Sequence, residues 1–248
     1  MIKLDRPTNV PKVLQDNAQA WTSTLLALIQ EHGTYKKIPQ TIKEAALKHY
    51  RHQEIKDILF ESTYRKCAFC EGFPEDNGNI EVEHFHPKSL YPEEAFSWEN
   101  FLPCCRKCNG AKDAHDTKNQ PIINPYMNNP EDHLAISSSM RVVGKDEIGL
   151  RTIEVCGLKG TRLYRPYSEL LVQFLQYDDD LKDALKEYSL KKTATTKKNQ
   201  LVKIKESIER LERLMNKKSK YSFFCSSFIL SSESYQTAKK LISVSSEE

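Results

Sequence analysis

Two pairs of cysteines carry the strongest chemical signal in this sequence of 248 residues, Cys67 with Cys70 and Cys105 with Cys108. Each pair encloses two residues, and two such knuckles a few tens of residues apart can place four thiolates tetrahedrally around one zinc ion. Four protein ligands leave no open coordination position on the metal. The sequence therefore predicts a structural Zn²⁺ site, beside which other residues must carry any reaction.

Three further cysteines, Cys104, Cys156 and Cys225, lie outside this spacing. Cys104 could compete with Cys105 for zinc, but the two-residue spacer from Cys105 to Cys108 mirrors the first knuckle and favours Cys105. The other two are interpreted as small buried apolar residues. Cysteines in metal-ligand spacing, rather than in disulfides, fit a reducing compartment.

Four polar residues between and beside the knuckles suit phosphodiester hydrolysis. Glu83 offers a carboxylate and Asn109 an amide oxygen, which are ligands that Mg²⁺ and Mn²⁺ prefer. His84 has an ordinary pKa of about 6.5, so it can accept a proton from water near neutral pH. Asn100 would orient the imidazole through hydrogen bonds to the backbone. The pattern predicts a metal-dependent nuclease site on a zinc-held scaffold.

The order of these residues resembles the HNH endonuclease family in its four-cysteine form with a ββα-metal fold. The resembling pieces are Cys67-x2-Cys70, Glu83-His84-Phe-His-Pro87-Lys88, Glu99-Asn100-Phe-Leu and Cys105-x2-Cys108-Asn109-x2-Lys112. The resemblance implies that Glu83 and Asn109 bind the catalytic Mg²⁺ or Mn²⁺, that His84 is the general base and that Asn100 positions it. The family usually has Asp where Glu83 stands, and Glu is one methylene longer.

Four residues near the motif are secondary candidates. His86 competes with His84 as the base, because residues two apart on a strand share a face. Lys88 and Lys112 could contact phosphate, although a lysine on a loop is more often solvated. Asp113, one helical turn from Asn109, could add a metal contact or a water-mediated contact, with solvation on the helix surface as the favoured alternative.

The flanks of the motif resemble the PtuB family, the HNH component of Septu-type antiphage systems that is also found beside some retrons. The resemblance rests on an N-terminal helical arm, on a helical C-terminal half, and on the segments Ile123-Asn124-Pro125 and Asn129-Pro130-x2-His133-Leu134. It implies a nuclease effector with a PtuA-like ATPase of the SMC/ABC-like class as its protein partner. The implied substrate is DNA, and structured RNA such as tRNA stays open.

The main alternative function is a zinc module that binds nucleic acid without cutting it. Four cysteines alone would allow it, but such a module does not require Glu83-His84, Asn100 and Asn109 in this order. A subunit that only binds other proteins is a weaker alternative. A catalytic cysteine is disfavoured, because zinc-bound thiolates are unavailable as nucleophiles and no other cysteine has an evident histidine partner.

The sequence predicts an α+β, mainly helical chain that carries the zinc-bound ββα-metal module, and its elements must position these residues. Residues 1–62 are predicted as an N-terminal helical arm, 63–126 as the nuclease module and 127–248 as a C-terminal extension that docks a partner. Apolar spacing predicts helices over residues 15–31 and 41–60, the second with a break near His52.

Within the module, alternation predicts a strand over residues 80–85, preceded by a turn at Asn77-Gly78, and a short helix after Cys108. The extension is predicted to hold two short strands over residues 137–155, helices from 163 to 216 and a short packed or partner-binding helix within 226–248. The last long helix has Leu201, Ile204, Ile208, Leu211 and Met215 as its apolar seam.

Charge and hydropathy exclude some classes of protein. The net charge is +3, with 39% hydrophobic and 29% charged residues, which fits a globular protein. No apolar run approaches the roughly 20 residues that a membrane helix needs, and the charged N-terminal residues disfavour a signal peptide. We therefore expect a cytoplasmic protein that does not enter a membrane.

Residues 182–220 hold thirteen Lys and Arg against five Asp and Glu, so this stretch is either a phosphate-binding face or a solvated helix surface.

Overall fold

A computed structural model describes residues 1–74 and 80–245 of the chain. The fold is α+β, with long helices and two small sheets, as predicted. The chain divides into two compact units. The first unit comprises Met1–Ala135 and Val142–Lys159, and the second comprises Ile136–Arg141 and Gly160–Glu248.

The first unit begins with three helices, α1 (Lys12–His32), α2 (Gln40–Leu47) and α3 (Gln53–Glu61). They confirm the helices predicted from apolar spacing. The interruption near His52 is also confirmed, because a 3-10 turn over Lys48–Arg51 separates α2 from α3. The His52 side chain accepts a hydrogen bond from the Glu54 amide and so begins α3 as its N-cap.

Two antiparallel strands, β1 (Ile80–His84) and β2 (Phe101–Cys105), lead into helix α4 (Arg106–Lys112). His84 pairs with Phe101, and α4 contacts both strands. The predicted strand is confirmed, whereas the predicted turn at Asn77-Gly78 lies outside the described residues.

The prediction that the short helix begins after Cys108 was wrong, because α4 already begins at Arg106. Cys105 is its N-cap, with its sulfur accepting a hydrogen bond from the Cys108 amide at 3.5 Å. The second knuckle is therefore the first turn of the helix.

After α4 the chain continues with α5 (Pro130–His133), the paired strands β3 (Leu134–Ile136) and β4 (Val142–Gly144), and α6 (Glu147–Val155). The prediction of strands over residues 137–155 is right for β4 and wrong for α6. The Asp146 carboxylate accepts a hydrogen bond from the Gly149 amide at 2.8 Å and caps α6. A Cβ atom at Gly149 would lie 2.1 Å from the His133 carbonyl oxygen, so this glycine permits close packing rather than a turn.

The second unit holds the helices α7 (Tyr164–Leu190), α8 (Ala194–Met215), α9 (Ser222–Ile229) and α10 (Glu233–Ser245). They confirm the helices predicted from residue 163 to 216 and the packed helix after 226. Within the predicted seam of α8, the side chains of Ile204, Ile208 and Leu211 are buried. In the described part of the chain, no helix combines the length and the apolar character needed to span a membrane.

Candidate metal centres and cleft

The four cysteines of the two knuckles converge in the first unit. All four are buried, and the ligating sulfur atoms lie within 4.8 Å of one another. A tetrahedral zinc site with Zn–S bonds of about 2.3 Å places its sulfurs about 3.8 Å apart. The Cys70 and Cys105 sulfurs are 3.9 Å apart. The cluster could therefore bind a metal such as zinc.

Backbone hydrogen bonds join the first knuckle to the sheet. The Ala68 amide donates to the Pro103 carbonyl of β2 at 2.9 Å, and the Cys67 amide donates to the Gly72 carbonyl at 2.9 Å. Because the second knuckle begins at the end of β2, both pairs of thiols are held by the same strand.

Cys104 lies beside this cluster but outside the group of four. Its sulfur is 3.9 Å from the Cys67 sulfur, and it donates to the Cys105 carbonyl oxygen at 3.4 Å. Complete burial raises the pKa of the Cys104 thiol well above its ordinary value. The Cys104 sulfur is not one of the four sulfurs that all lie within 4.8 Å of one another, so the geometry agrees with Cys105 as the ligand.

A cleft of about 420 Å³ opens beside β1 and α4 in the first unit. Five residues singled out from the sequence line it, namely Glu83, His84, Lys88, Asn109 and Asp113. Lys112 is fully buried against Glu83. Asn100 and His86 are not among the lining residues.

The His84 imidazole is buried, and its two nitrogens have different surroundings. Nε2 lies 2.8 Å from the Ala95 carbonyl oxygen. A carbonyl only accepts, so Nε2 carries the proton and Nδ1 keeps its lone pair. Among the described residues Nδ1 has no hydrogen-bond partner. The rings of Tyr50 and Phe101 meet the imidazole edge to face, with centroids at 4.7 and 5.2 Å.

Burial and nearby lysines keep this imidazole neutral. Desolvation by burial, together with the nearby charge of Lys88, lowers the pKa of His84 to about 3, although the hydrogen bond with the Ala95 carbonyl opposes the shift. His84 is therefore a neutral side chain of fixed tautomer that lines the cleft.

Asn100 joins the two loops that surround His84. Its side-chain oxygen accepts from the His86 amide at 2.7 Å. Its side-chain nitrogen donates to the carbonyls of His86 at 2.9 Å and Glu94 at 3.1 Å. Ala95, which follows Glu94 in the chain, supplies the carbonyl that fixes the His84 tautomer. Asn100 thus acts on His84 through the backbone rather than by direct contact.

Glu83 forms a buried ion pair with Lys112. The Lys112 ammonium donates to Glu83 Oε1 at 2.6 Å and to the His84 carbonyl oxygen at 2.9 Å. Burial raises the pKa of the Glu83 carboxyl, and the Lys112 ammonium opposes that rise. Lys112 therefore ties α4 to the Glu83-His84 end of β1 instead of lying on the surface.

Asn109 lies across the cleft from the end of β1. Its side-chain nitrogen donates to Glu81 Oε2 at 2.6 Å. Among the described residues its side-chain oxygen has no hydrogen-bond partner. Glu81 and Glu83 share one face of β1 because side chains alternate along a strand. Two carboxylates and one amide oxygen are therefore available in this part of the cleft.

The remaining candidates have more ordinary surroundings. His86 Nδ1 donates to the Thr117 hydroxyl at 2.7 Å, and that hydroxyl donates to the Phe85 carbonyl at 2.9 Å. Because β1 ends at His84, His86 does not continue the face of the strand. Lys88 lies 5.5 Å from the centre of the Tyr50 ring, and Asp113 is exposed at the end of α4.

Comparison with curated proteins finds relatives over most of this chain. The chain is 30% identical to the Septu protein PtuB of Bacillus thuringiensis over 197 residues, which are 79% of this chain and 69% of that protein. The chain belongs to the PtuB family of Septu proteins. A Septu protein PtuB from Bacillus mycoides (strain KBAB4) is 25% identical over 141 residues, which are 44% of this chain and 48% of that protein. No family model matches the chain, and no solved structure matches it.

Two residues that line the cleft of this PtuB family member were not singled out from its sequence. Glu81 bonds Asn109, and the alternation Glu81-Val82-Glu83 on a strand was a signal that could have indicated it. Arg106 is exposed and lines the cleft at the first position of α4. Its place depends on the helix beginning inside the knuckle, which the spacing of the cysteines did not indicate.

Proposed function

We propose that this chain is a metal-dependent HNH endonuclease that hydrolyses phosphodiester bonds in DNA. Its membership of the PtuB family makes it a component of a Septu antiphage defence system. The proposal adds that this component is the nuclease effector and that it works with a PtuA-like ATPase.

One observation carries the proposal. A neutral histidine, whose Nδ1 has no hydrogen-bond partner in the described ranges of the chain, lies in the same cleft as Glu83 and Asn109, on two strands and a helix held by a four-cysteine cluster. A cysteine cluster that only stabilised the fold would not require these groups to line one cleft. Their convergence supports a hydrolytic site over a purely structural one.

His84 is the proposed general base. Its Nδ1 accepts a proton from a water molecule, whose oxygen bonds to phosphorus as the bond from phosphorus to the 3′ oxygen breaks. The products are a 5′ phosphate and a 3′ hydroxyl, and the departing 3′ oxygen takes up a proton from solvent. The hydrogen bond from Nε2 to the Ala95 carbonyl becomes stronger when the ring is protonated, so it stabilises the imidazolium that forms.

Glu83 and Asn109 are the residues proposed to hold Mg²⁺ or Mn²⁺. The donor set fits a hard cation, because it offers carboxylate and amide oxygens. Lys112 uses Glu83 Oε1, and the Asn109 side-chain oxygen has no partner among the described residues. When bound, such an ion stabilises negative charge on the phosphate and on the departing oxygen. Lys88 and Arg106, which line the same cleft, add positive charge for the phosphate backbone.

The test is cleavage of plasmid DNA and of total tRNA by the purified protein, with Mg²⁺ or Mn²⁺ and with EDTA, alone and with the co-encoded ATPase. The proposal expects DNA cleavage that EDTA abolishes. Cleavage of tRNA alone would change the substrate to structured RNA. No cleavage in any condition, with zinc bound and the fold intact, would favour the module that binds nucleic acid without cutting it.

A further inference from the structure

Five lysines surround the turn between α7 and α8 in the second unit. We call them the lysine tip: Lys186, Lys191, Lys192, Lys197 and Lys198. All five are exposed or half-buried. Between residues 186 and 199 they face one acidic residue, Glu187, so five positive charges less one negative charge leave a local net charge of +4.

The tip lysines lack the carboxylate partners that some basic side chains elsewhere in the described part of the second unit have. Further from the turn, Lys182 pairs with Asp178 at 2.9 Å, and Lys239 pairs with Glu212 at 2.9 Å. Within the described part of the chain, none of the five tip lysines has a carboxylate oxygen within 4.0 Å. A solvated helix face with alternating charges is therefore a poor description of the tip. Like charges gathered in this way repel one another and do not stabilise the hairpin.

We infer that the lysine tip binds the phosphate backbone of a nucleic acid. This inference rests on the proposed function, and it assigns part of substrate binding to the second unit. Lysine ammonium groups are common phosphate ligands, whereas lysine is depleted from protein–protein interfaces. Such contacts are independent of sequence and weaken as salt displaces them.

The test measures the affinity for a short labelled DNA duplex by fluorescence anisotropy over a series of salt concentrations, without added Mg²⁺ or Mn²⁺ so that the duplex stays whole. The tip variant carries Lys→Gln at positions 191, 192, 197 and 198. The control variant carries Lys→Gln at positions 203, 205, 217 and 218, four exposed lysines elsewhere on α8 and just after it. Both variants lose the same net charge.

Each phosphate contact contributes about 0.9 to the slope of log affinity against log salt. The magnitude of that slope should therefore be smaller than in wild type by about 3 to 4 for the tip variant and by less than about 1 for the control variant. Equal slopes for the two variants would overturn the inference, and so would a wild-type protein that binds no nucleic acid. Tip-dependent binding without any cleavage would leave this inference standing while the proposed function fails.

A separate observation assigns a role to Glu81. Its Oε2 accepts a hydrogen bond from the Asn109 side-chain nitrogen at 2.6 Å. A carboxylate only accepts, so it fixes the Asn109 amide with the nitrogen toward Glu81 and the oxygen away from it. The two ends of an asparagine amide are nearly the same size. Without Glu81 the amide could turn over and present its NH₂ group, which does not bind a cation.

We propose that Glu81 is a positioning residue that keeps the Asn109 oxygen available to the metal of the proposed nuclease site. The test is Mn²⁺ affinity measured by electron paramagnetic resonance, which does not depend on cleavage. Glu81→Ala should weaken Mn²⁺ binding about 10- to 100-fold, as is typical when a partner of a metal ligand is lost. Glu81→Gln should bind nearly as well as wild type, because its side-chain oxygen can accept the same hydrogen bond.

A double-mutant cycle with Asn109→Ala separates positioning from direct coordination. If Glu81 acts through Asn109, Glu81→Ala should cost little further affinity once Asn109 is replaced. An equal loss in both backgrounds would make Glu81 a ligand itself and would overturn the proposal, as would unchanged Mn²⁺ affinity in Glu81→Ala. If Glu83→Ala and Asn109→Ala also leave Mn²⁺ binding unchanged, the proposed metal site is wrong as well.

Discussion

Replacing Lys112 by methionine should destabilise the first unit strongly. The Lys112 side chain is fully buried, and the Glu83 side chain is 9% exposed. Removing the ammonium leaves a buried carboxylate without its cation and the His84 carbonyl without a donor. Breaking a buried ion pair in this way costs about 3 to 5 kcal/mol of unfolding free energy.

The expected effect can be measured in urea. The two tryptophans of the chain, Trp21 and Trp98, both lie in the first unit, so their fluorescence reports on that unit alone. With a slope of about 2 kcal/mol per molar urea, a loss of 3 to 5 kcal/mol lowers the midpoint by about 1.5 to 2.5 M. Lys107→Met, an exposed position on the same helix, is the matched control and should change the free energy of unfolding by less than about 0.5 kcal/mol.

The double variant Lys112→Met/Glu83→Met tests the reason for the loss. Replacing both members of a buried pair by apolar side chains is often nearly neutral, so the double variant should be more stable than Lys112→Met alone. The reasoning would be refuted if Lys112→Met shifted the midpoint no more than Lys107→Met, or if the double variant were as unstable as the single one.

Three further predictions concern the cysteine cluster, Asn100 and Asp178. Cys67→Ser or Cys108→Ser should abolish zinc binding and unfold the first unit, because structural zinc contributes on the order of 10 kcal/mol to folding. Cys104→Ser should keep its zinc. Metal analysis and tryptophan fluorescence measure both properties, and a folded, zinc-free Cys67→Ser variant would contradict the scaffold. Asn100→Ala should lower the free energy of unfolding by about 3 kcal/mol, since three hydrogen bonds of about 1 kcal/mol each are lost, and should slow cleavage at unchanged zinc content. Burial alone would raise the pKa of Asp178, but hydrogen bonds from Ser232 and Ser234 and the Lys182 ammonium outweigh it and lower the pKa. This stabilisation is present above the ordinary Asp pKa of about 3.9 and is lost as pH falls through the lower folded value, so circular dichroism should show Asp178→Asn with a smaller loss of stability in acid than wild type.

Much of the fold follows from local patterns in the sequence. Apolar spacing predicted α1 and the helices of the second unit, because each buries one stripe against its neighbours. Alternation predicted β1, and the spacing of the cysteines predicted the cluster. In each case the signal lies within a few residues of the structure that it specifies.

The predictions that were wrong or missing depend on contacts between residues that are distant in the sequence. Residues 137–155 were predicted to hold two short strands, yet Gly149 lies in a capped helix, where its small size allows the close contact with the His133 carbonyl. The buried ion pair of Lys112 with Glu83 joins residues 29 positions apart, and no local pattern marks a lysine as buried. The Glu81–Asn109 hydrogen bond spans a similar distance along the chain, so only the packing of α4 on β1 brings its partners together.

The most direct test of the central claim compares single-turnover DNA cleavage by wild type, His84→Ala and His86→Ala under the conditions in which wild type cuts. Loss of a general base slows such a reaction by about 100- to 10,000-fold, so His84→Ala should lose that much activity while it keeps its zinc and its folded fluorescence. His86→Ala should cut at nearly the wild-type rate, because its ring lies outside the cleft. Cleavage retained by folded His84→Ala, or lost in His86→Ala alone, would contradict the account.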